Sequence, residues 1–394
     1  MNLEKAVVPQ NVILMAFAIS PTEGSESGAG WALLRGHLEL GNRVVLITTD
    51  FELQKLRKSR EFSELAINCI SVNDSGIIIR NSSWVPFSYQ IRHILWNFKL
   101  YFVARNLASE SESSIFHYAT YAGDWNLNVL HFLPKNVRKL WGPVGGAQRI
   151  PMIFYRKLGF KGIMEEIIKT SATLLFRIIS RRLLSNSREV ILCANSATFD
   201  FYNRKNNVLM LQNIVLNSTD FQDHNQYEEK GLIFGCGRLL AWKNWQSAII
   251  AMKETTEKVL VIAGDGPYRH KLSKIIRKND LGHKVKLVGK LTRRETISEL
   301  AKCESFIFPS LRDSASWALA EALYMQKKII AIDLPGTRAV LGMNYELIDP
   351  GDRNLIGTMS DLLMGSGHEE TVDKEFTVEV LADGLQYAIS RFEH

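Results

Sequence analysis

The chain has 394 residues, a formal net charge of +7, 46% hydrophobic and 23% charged residues. That length favours two domains over one, and the composition excludes a disordered or low-complexity chain. Four cysteines (Cys69, Cys193, Cys236, Cys303) lie far apart with no Cys-x-x-Cys pair, which argues against a disulfide framework or a zinc site and for a reducing compartment.

In chain order, Val12–Ile19 is a near-continuous apolar run that reads as a strand covered on both faces. It lacks a basic leader and ends at Pro21, so it is not expected to be a signal peptide. A Gly-rich loop follows, then a helix around Trp31–Leu40 and a strand over Arg43–Thr49. Ser114–Tyr118, Val137–Trp141 and Glu189–Ala194 read as further strands. Between Lys135 and Glu189 twelve Lys or Arg stand against three Glu, so the positive charge is concentrated there. Residues 165–184 mix apolar and basic side chains at near-helical spacing. Such a helix can lie on an anionic bilayer face, or pack its apolar side on its own domain and turn its cations to water.

Residues 217–230 are polar and aperiodic, and so read as a linker. The strand-helix alternation then restarts: strands over Gly231–Gly237, Lys258–Ala263, Lys284–Val288, Ser305–Pro309 and Lys328–Ile332, with helices between them. The expected class is α/β, with two doubly wound parallel-sheet domains and an interdomain cleft. The domains are expected at 1–216 and 231–375, with 376–394 a C-terminal helix packing back on the first. No run reaches the length of about 18 apolar residues that a spanning helix needs. A cytoplasmic protein, in solution or peripheral on the inner membrane face, is expected.

The chemistry-bearing residues gather in four stretches. Asp313 and Glu321 lie eight apart, across a strand end, the loop Ser314-Ala315-Ser316 and a helix that opens near Trp317. Ligands of parallel sheets bind beyond the carboxyl ends of strands, and a helix N-terminus there presents free N–H groups. The plain alternative is that Asp313 or Ser316 caps the helix and Glu321 is a solvated helical residue. Arg238 and Lys243, five apart after a strand, can neutralise a diphosphate without a metal. The chain contains no Asp-x-Asp pair, and neither a metal nor another cofactor is expected. Gly24, Ser25, Gly28, Ala29 and Gly30 follow the first strand, and Gly145 and Gly146 follow another; small residues there permit close approach to a phosphate or sugar. His117 ends a strand at the same edge. A lone histidine at such a place is more often structural.

Together, Gly237-Arg238-Leu-x3-Lys243, Ala263-Gly-Asp-Gly-Pro267 and Pro309-Ser-x2-Asp313-x7-Glu321 resemble the retaining glycosyltransferases of family GT4, which have the GT-B fold of two Rossmann-like domains. The stretches Gly24–Trp31 and Trp141–Gly146 are similar to a bacterial subgroup that builds surface polysaccharides. The resemblance implies transfer of a sugar from a nucleotide-diphosphate sugar, UDP- or GDP-linked, to a glycan or lipid-linked acceptor. Arg238 and Lys243 would hold the diphosphate, Glu321 the ribose, and Asp313 the transferred sugar. Gly266, Ser314, Ala315, Ser316 and Trp317 would line the donor site. His117 would sit near sugar and acceptor, and Gly24–Gly30 with Gly145 and Gly146 near phosphates or acceptor. Asp313 stands where the family more often has Glu, and Ser314-Ala315-Ser316 replaces a Gly-rich turn. A catalytically silent scaffold subunit and a nucleotide-sugar epimerase remain as alternatives. No aromatic-basic platform points to nucleic acid.

Overall fold

A computed structural model describes residues 8–74, 88–111, 113–123, 127–184, 188–203, 207–222, 228–365 and 375–393. Part of the 217–230 stretch therefore lies outside the described residues. The chain forms two compact units. The first takes Met1–Ala147, Ser171–Val215 and Phe376–His394, and the second takes Gln148–Thr170 and Leu216–Glu375.

The first unit is built on seven parallel strands: β1 (Asn11–Met15), β2 (Arg43–Thr49), β3 (Asn68–Val72), β4 (Ile115–Tyr118), β5 (Arg138–Val144), β6 (Glu189–Cys193) and β7 (Val208–Met210). Their order is β3-β2-β1-β4-β5-β6-β7, so the winding reverses between β1 and β4. Strand side chains alternate between faces, and here both faces are covered. Val12, Leu14 and Ala16 enter one core with helices Ser25–Glu39 and Val378–Ser390. Ile13, Met15 and Phe17 enter the other, with Trp96, Leu100 and Ala104 of helix Ser88–Glu110. The expected strand over residues 12–19 is shorter than its apolar run: the ladder ends at Met15, while Ala16–Ile19 stay buried as they turn into the following loop.

The second unit has five parallel strands, β8 (Glu229–Cys236), β9 (Val259–Ala263), β10 (Val285–Gly289), β11 (Cys303–Phe308) and β12 (Lys328–Ala331), in the order β10-β9-β8-β11-β12. Its winding reverses between β8 and β11. Ile150, Phe154 and Leu158, which the sequence reading placed with the first half, enter this unit's core beside Leu239 and Trp245. An apolar cluster followed by a basic helix gives no local sign of which core it joins. Helix Tyr155–Leu183 is interrupted at Gly159 (φ 70°, ψ 170°). The four cysteines form no disulfide.

Helix Val378–Ser390 belongs to the first unit because Leu381, Leu385 and Ile389 enter its core. Gly36 makes the close helix-helix approach possible: a Cβ there would stand 2.9 Å from Leu385 Cδ1. Leu385 is fully buried, so Leu385→Ala is expected to lower unfolding free energy by about 2–5 kcal/mol in urea titration. A loss below about 1 kcal/mol would mean that this helix is not part of the core.

Candidate functional site

In a doubly wound sheet the loops at the winding reversal part to opposite faces and leave a crevice at the strands' carboxyl ends. In the second unit those loops follow β8 and β11, and they carry Arg238, Lys243 and Asp313. Gly237 (φ +151°), Gly264 (φ +139°) and Gly266 (φ +158°) set the first loop against the loop after β9. A Cβ on Gly264 would strike the Gly237 carbonyl, and one on Gly266 would lie 2.5 Å from the Leu239 carbonyl oxygen. Only glycine serves at such φ with so little room. The gap is closed by Gly237 N–H donating to Ala263 O (2.9 Å), and Leu239 N–H to Asp265 O (2.9 Å).

The turn Ala241–Lys243 is followed by Asn244 in the left-handed region (φ 54°), where helix Trp245–Ala251 begins. Leu311 N–H donates to Trp242 O at 2.9 Å, joining the β11 loop to the β8 loop. Across this junction the Lys243 ammonium pairs with the Asp313 carboxylate, which also accepts from Ser310 Oγ at 3.3 Å. Lys243 Nζ stands 5.0 Å from the Trp242 ring centre and 5.1 Å from that of Phe308. Arg238 and Arg312 approach the same indole at 6.0 and 5.0 Å. Three cations thus converge on Trp242, whose electron-rich face favours them. Arg312 is further paired with the buried carboxylate of Glu166.

Ser316 occupies the N-cap of helix Trp317–Tyr324 without a side-chain capping bond. Asp313 is engaged by Lys243 and Ser310, so the simple capping role does not describe either residue. Ser314 and Ala315 lie between them, at the same half-exposed edge as Trp317. Glu321 is not a solvated helical residue. It is 5% exposed, and its Oε1 is paired with Arg293, the first residue of helix Arg293–Lys302. Burial pushes the Glu321 carboxyl up from its ordinary value, against the pull of Arg293. The same guanidinium reaches Asp220 through Nη2 at 3.1 Å and stands 6.0 Å from the Trp317 ring.

Sequence reasoning missed Arg293. A signal was available: Thr292 and Glu295 form a capping box, which fixes a helix N-terminus directly before two arginines. Cations oppose the dipole at that end, so Arg293 and Arg294 stand where a free helix would disfavour them. Trp242 lay inside the quoted motif but was given no part.

In the first unit the winding reverses between β1 and β4, and the loops after those strands are joined. Ala18 N–H donates to Thr120 Oγ1 (3.2 Å), and Tyr121 N–H to Glu26 Oε2 (3.0 Å). Gly24 is the N-cap of helix Ser25–Glu39 and offers no side-chain cap, while Ser25 takes φ 59°. Gly28, Ala29 and Gly30 are buried in the first turns of that helix. A Cβ on Gly30 would stand 2.5 Å from the Ala18 oxygen and 3.0 Å from the Thr120 methyl. The missing side chain at Gly30 is therefore used for helix-to-loop packing. Gly145 N–H donates to Ala122 O at 3.3 Å, and Gly146 has φ +126°.

His117 lies inside β4, fully buried. Its Nε2 is 2.8 Å from the Gly142 carbonyl, which can only accept, so Nε2 carries the proton. In the neutral ring Nδ1 then accepts from His37 Nε2–H (2.8 Å), and His37 Nδ1 accepts from Asn42 Nδ2–H (3.2 Å). The tautomers of both rings are fixed by this chain. Burial lowers His117 to about 4 and, with the neighbouring His117, holds His37 well below the usual range. Both nitrogens of His117 are committed, so the expected place near sugar and acceptor has no free ring nitrogen behind it in this arrangement.

Among the described residues, no group of three or more His, Cys, Asp or Glu is placed to hold a metal ion. No described helix is long and apolar enough to cross a membrane.

Residues 217–374 match the family model of the glycosyl transferases group 1. The chain is similar to an uncharacterized glycosyltransferase of Methanocaldococcus jannaschii, 28% identical over 147 residues, which is 36% of each chain. It is also similar to the 2-deoxystreptamine N-acetyl-D-glucosaminyltransferase of Niallia circulans, 25% identical over 31% of this chain and 33% of the relative. The chain thus matches about a third of the length of these curated relatives. Two solved structures match over nearly their whole length. The lipopolysaccharide outer core galactosyltransferase WaaB in its apo form has a TM-score of 0.62 at 12% identity, covering 97% of this chain and 99% of that one. HepE of Anabaena in complex with UDP and glucose has a TM-score of 0.57 at 13% identity, covering 97% and 95%. The fold is GT-B, with one Rossmann-like sheet in each unit.

Burial lowers His93 and His131 to about 4 as well, so four buried rings are neutral in the fold. An unfolded chain binds protons on these rings from about pH 6.5 downward, while folded His93, His117 and His131 refuse them until about pH 4 and His37 is held down in the same direction. Stability is therefore expected to fall as pH drops through that window, each histidine contributing up to about 1.4 kcal/mol per pH unit. A melting temperature that stays level from pH 6.5 to 4.5 contradicts this assignment.

Proposed function

We propose that this protein is a glycosyltransferase that moves a sugar from a nucleotide-diphosphate sugar to a glycan or lipid-linked acceptor of bacterial surface polysaccharide, with retention and without a metal. The observation that carries the reading is the convergence of Arg238, Lys243, Asp313 and Trp242 at the winding reversal of the unit that matches the group 1 family model. A diphosphate leaving group gains negative charge as its bond to the anomeric carbon breaks. Cations fixed beforehand in a partly desolvated place stabilise that charge more than water does.

In the reaction, the acceptor oxygen forms a bond to the anomeric carbon on the face from which the diphosphate departs. The carbon-oxygen bond to phosphate breaks, its electron pair leaves with the nucleoside diphosphate, and that phosphate oxygen takes the acceptor proton. Arg238 grips the diphosphate in a fork, and Lys243 supplies a point charge. Lys243 must exchange part of its pairing with Asp313 for the phosphates, which frees the Asp313 carboxylate to accept from sugar hydroxyls. Glu321 accepts the two ribose hydroxyls. A donor base of the uracil type is the first choice, on the likeness to HepE bound to UDP. The alternatives, a silent scaffold or an epimerase, differ in outcome: the first releases no sugar, and the second changes the donor with no acceptor present.

A lipid-linked acceptor requires access to a membrane face, and helix Tyr155–Leu183 supports it. Ile168 is 63% and Leu175 58% exposed, with Ile167, Leu174 and Ile178 also open, whereas Arg177 is buried against the Phe201 ring at 4.1 Å. That pattern is the reverse of a helix that packs its apolar side inward and turns its cations to water. In helix Ser88–Glu110, Ile94, Phe98 and Phe102 are exposed in the same manner. Apolar side chains among cations suit the anionic interface.

Two measurements test the reading. Lys243→Ala is expected to cut turnover at least about a hundredfold in sugar-release assays run with EDTA, where the wild type keeps its rate. Near-normal turnover of the variant, or loss of wild-type activity to EDTA, rejects the cation-pair mechanism. For the membrane face, sedimentation with vesicles containing phosphatidylglycerol is expected for the wild type. Ile168→Glu with Leu175→Glu should abolish it; equal sedimentation of wild type and variant places the contact elsewhere.

A further inference from the structure

We infer that Arg293 is a positioning residue of the donor site, which orients the Glu321 carboxylate for the nucleotide ribose and anchors it to Asp220. The inference rests on the reading of Glu321 as the ribose ligand, and it assigns a role to a residue outside the motifs that suggested that reading. The geometry is a three-membered chain. Glu321 Oε1 is paired with Arg293 Nη1, while Nη2 and Nε of the same guanidinium reach Asp220 Oδ2 at 3.1 and 3.3 Å. A planar guanidinium with both edges occupied has little freedom left, so the carboxylate it holds is fixed in direction. Asp220 ends the turn Ser218–Asp220, a few residues after the chain enters the second unit at Leu216.

A buried carboxylate needs this help. Glu321 is nearly closed to solvent, and alone in such a place it would take up a proton rather than stay charged. A protonated carboxyl can no longer accept from two hydroxyls at once. Arg293 pulls it back toward the ionised form, and Asp220 compensates the second edge of the guanidinium. The groups facing Glu321 are Arg293 on helix Arg293–Lys302, Asp220 on the turn, and the Cys236 thiol at the end of β8, whose own value is raised to about 12 by burial first and then by Glu321. None of these except Arg293 offers Glu321 a positive charge. The placement of two arginines at the positive end of a capped helix also finds its reason, since the first of them is spent on two carboxylates.

The test is calorimetric titration of the full chain with UDP and, separately, GDP, from pH 6 to 8. Arg293→Met is expected to weaken binding of the nucleotide that the wild type accepts by about tenfold or more at pH 7. The loss should deepen toward pH 6, where the wild type changes little. Arg293→Lys should recover the wild-type pH profile with part of the affinity. In a Glu321→Gln background, Arg293→Met should add less than about twofold, because its effect passes through the carboxylate. Should Arg293→Met fail to fold, Asp220→Asn removes the anchor and keeps the guanidinium; it is expected to weaken binding with no added effect in the Glu321→Gln background. Wild-type-like binding by Arg293→Met, a weaker variant with an unchanged pH profile, or equal losses with and without Glu321 overturns the inference. A wild type that binds neither nucleotide overturns the ribose assignment itself, and is told apart from those outcomes by the wild-type titration alone.

Discussion

A backbone hydrogen bond from Leu311 N–H to Trp242 O ties together the two loops on which the candidate chemistry of the second unit rests. The loops leave β8 and β11, adjacent strands at the reversal of winding, where packing would otherwise part them to opposite faces. Once they are joined, the cation of one and the carboxylate of the other meet as Lys243 and Asp313. The glycines at 264 and 266 serve the same end, because a side chain on either would strike the β8 loop, while Gly237 takes a φ of +151° that favours glycine.

The three cations around Trp242 would repel one another in an apolar setting, yet two of them have a carboxylate partner and all three share the indole. Lys243 has Asp313, Arg312 has the buried Glu166, and the indole face is common to all three. The cost of bringing charge out of water is thereby met during folding rather than at ligand binding. On the proposed reading, an incoming diphosphate would find cations already oriented, and would have to supply enough negative charge to draw Lys243 from Asp313.

The fold was legible because alternation of strands and helices is a local signal, repeated often enough to specify two parallel sheets. Arg238, Lys243, Asp313 and Glu321 stood out as candidates for a related reason: each lies after a strand or in the first turns of a helix, places that the pattern marks. What the sequence hid were relations between distant segments. Ile150, Phe154 and Leu158 are apolar wherever they go, and only the three-dimensional packing sends them to the second core. His117 looks available at a strand end, but His37, eighty positions earlier, takes its Nδ1. Helix 165–184 has the composition of two opposite arrangements, and the burial of Arg177 beside the exposed Leu175 is a fact of packing that no spacing in the sequence states. Arg293 lies far from Glu321 in the chain, so spacing within one motif could not reveal it.

The two units solve the same problem with opposite means. Near the β4–β5 edge of the first, a chain of neutral donors and acceptors from Asn42 through His37 and His117 ends on the Gly142 carbonyl, immediately before the Gly145-Gly146 loop. Each proton has one place, so the loop's approach is set without any buried charge, and the arrangement tolerates a low dielectric well. In the second unit the fixed groups are charged and their partners are charged, as a site for an anionic ligand needs. A neutral relay could not attract a diphosphate, and a buried ion pair beneath the first loop would add desolvation cost with no ligand to use it. The two loop clusters are thus fixed differently, one by neutral hydrogen bonds and the other by paired charges.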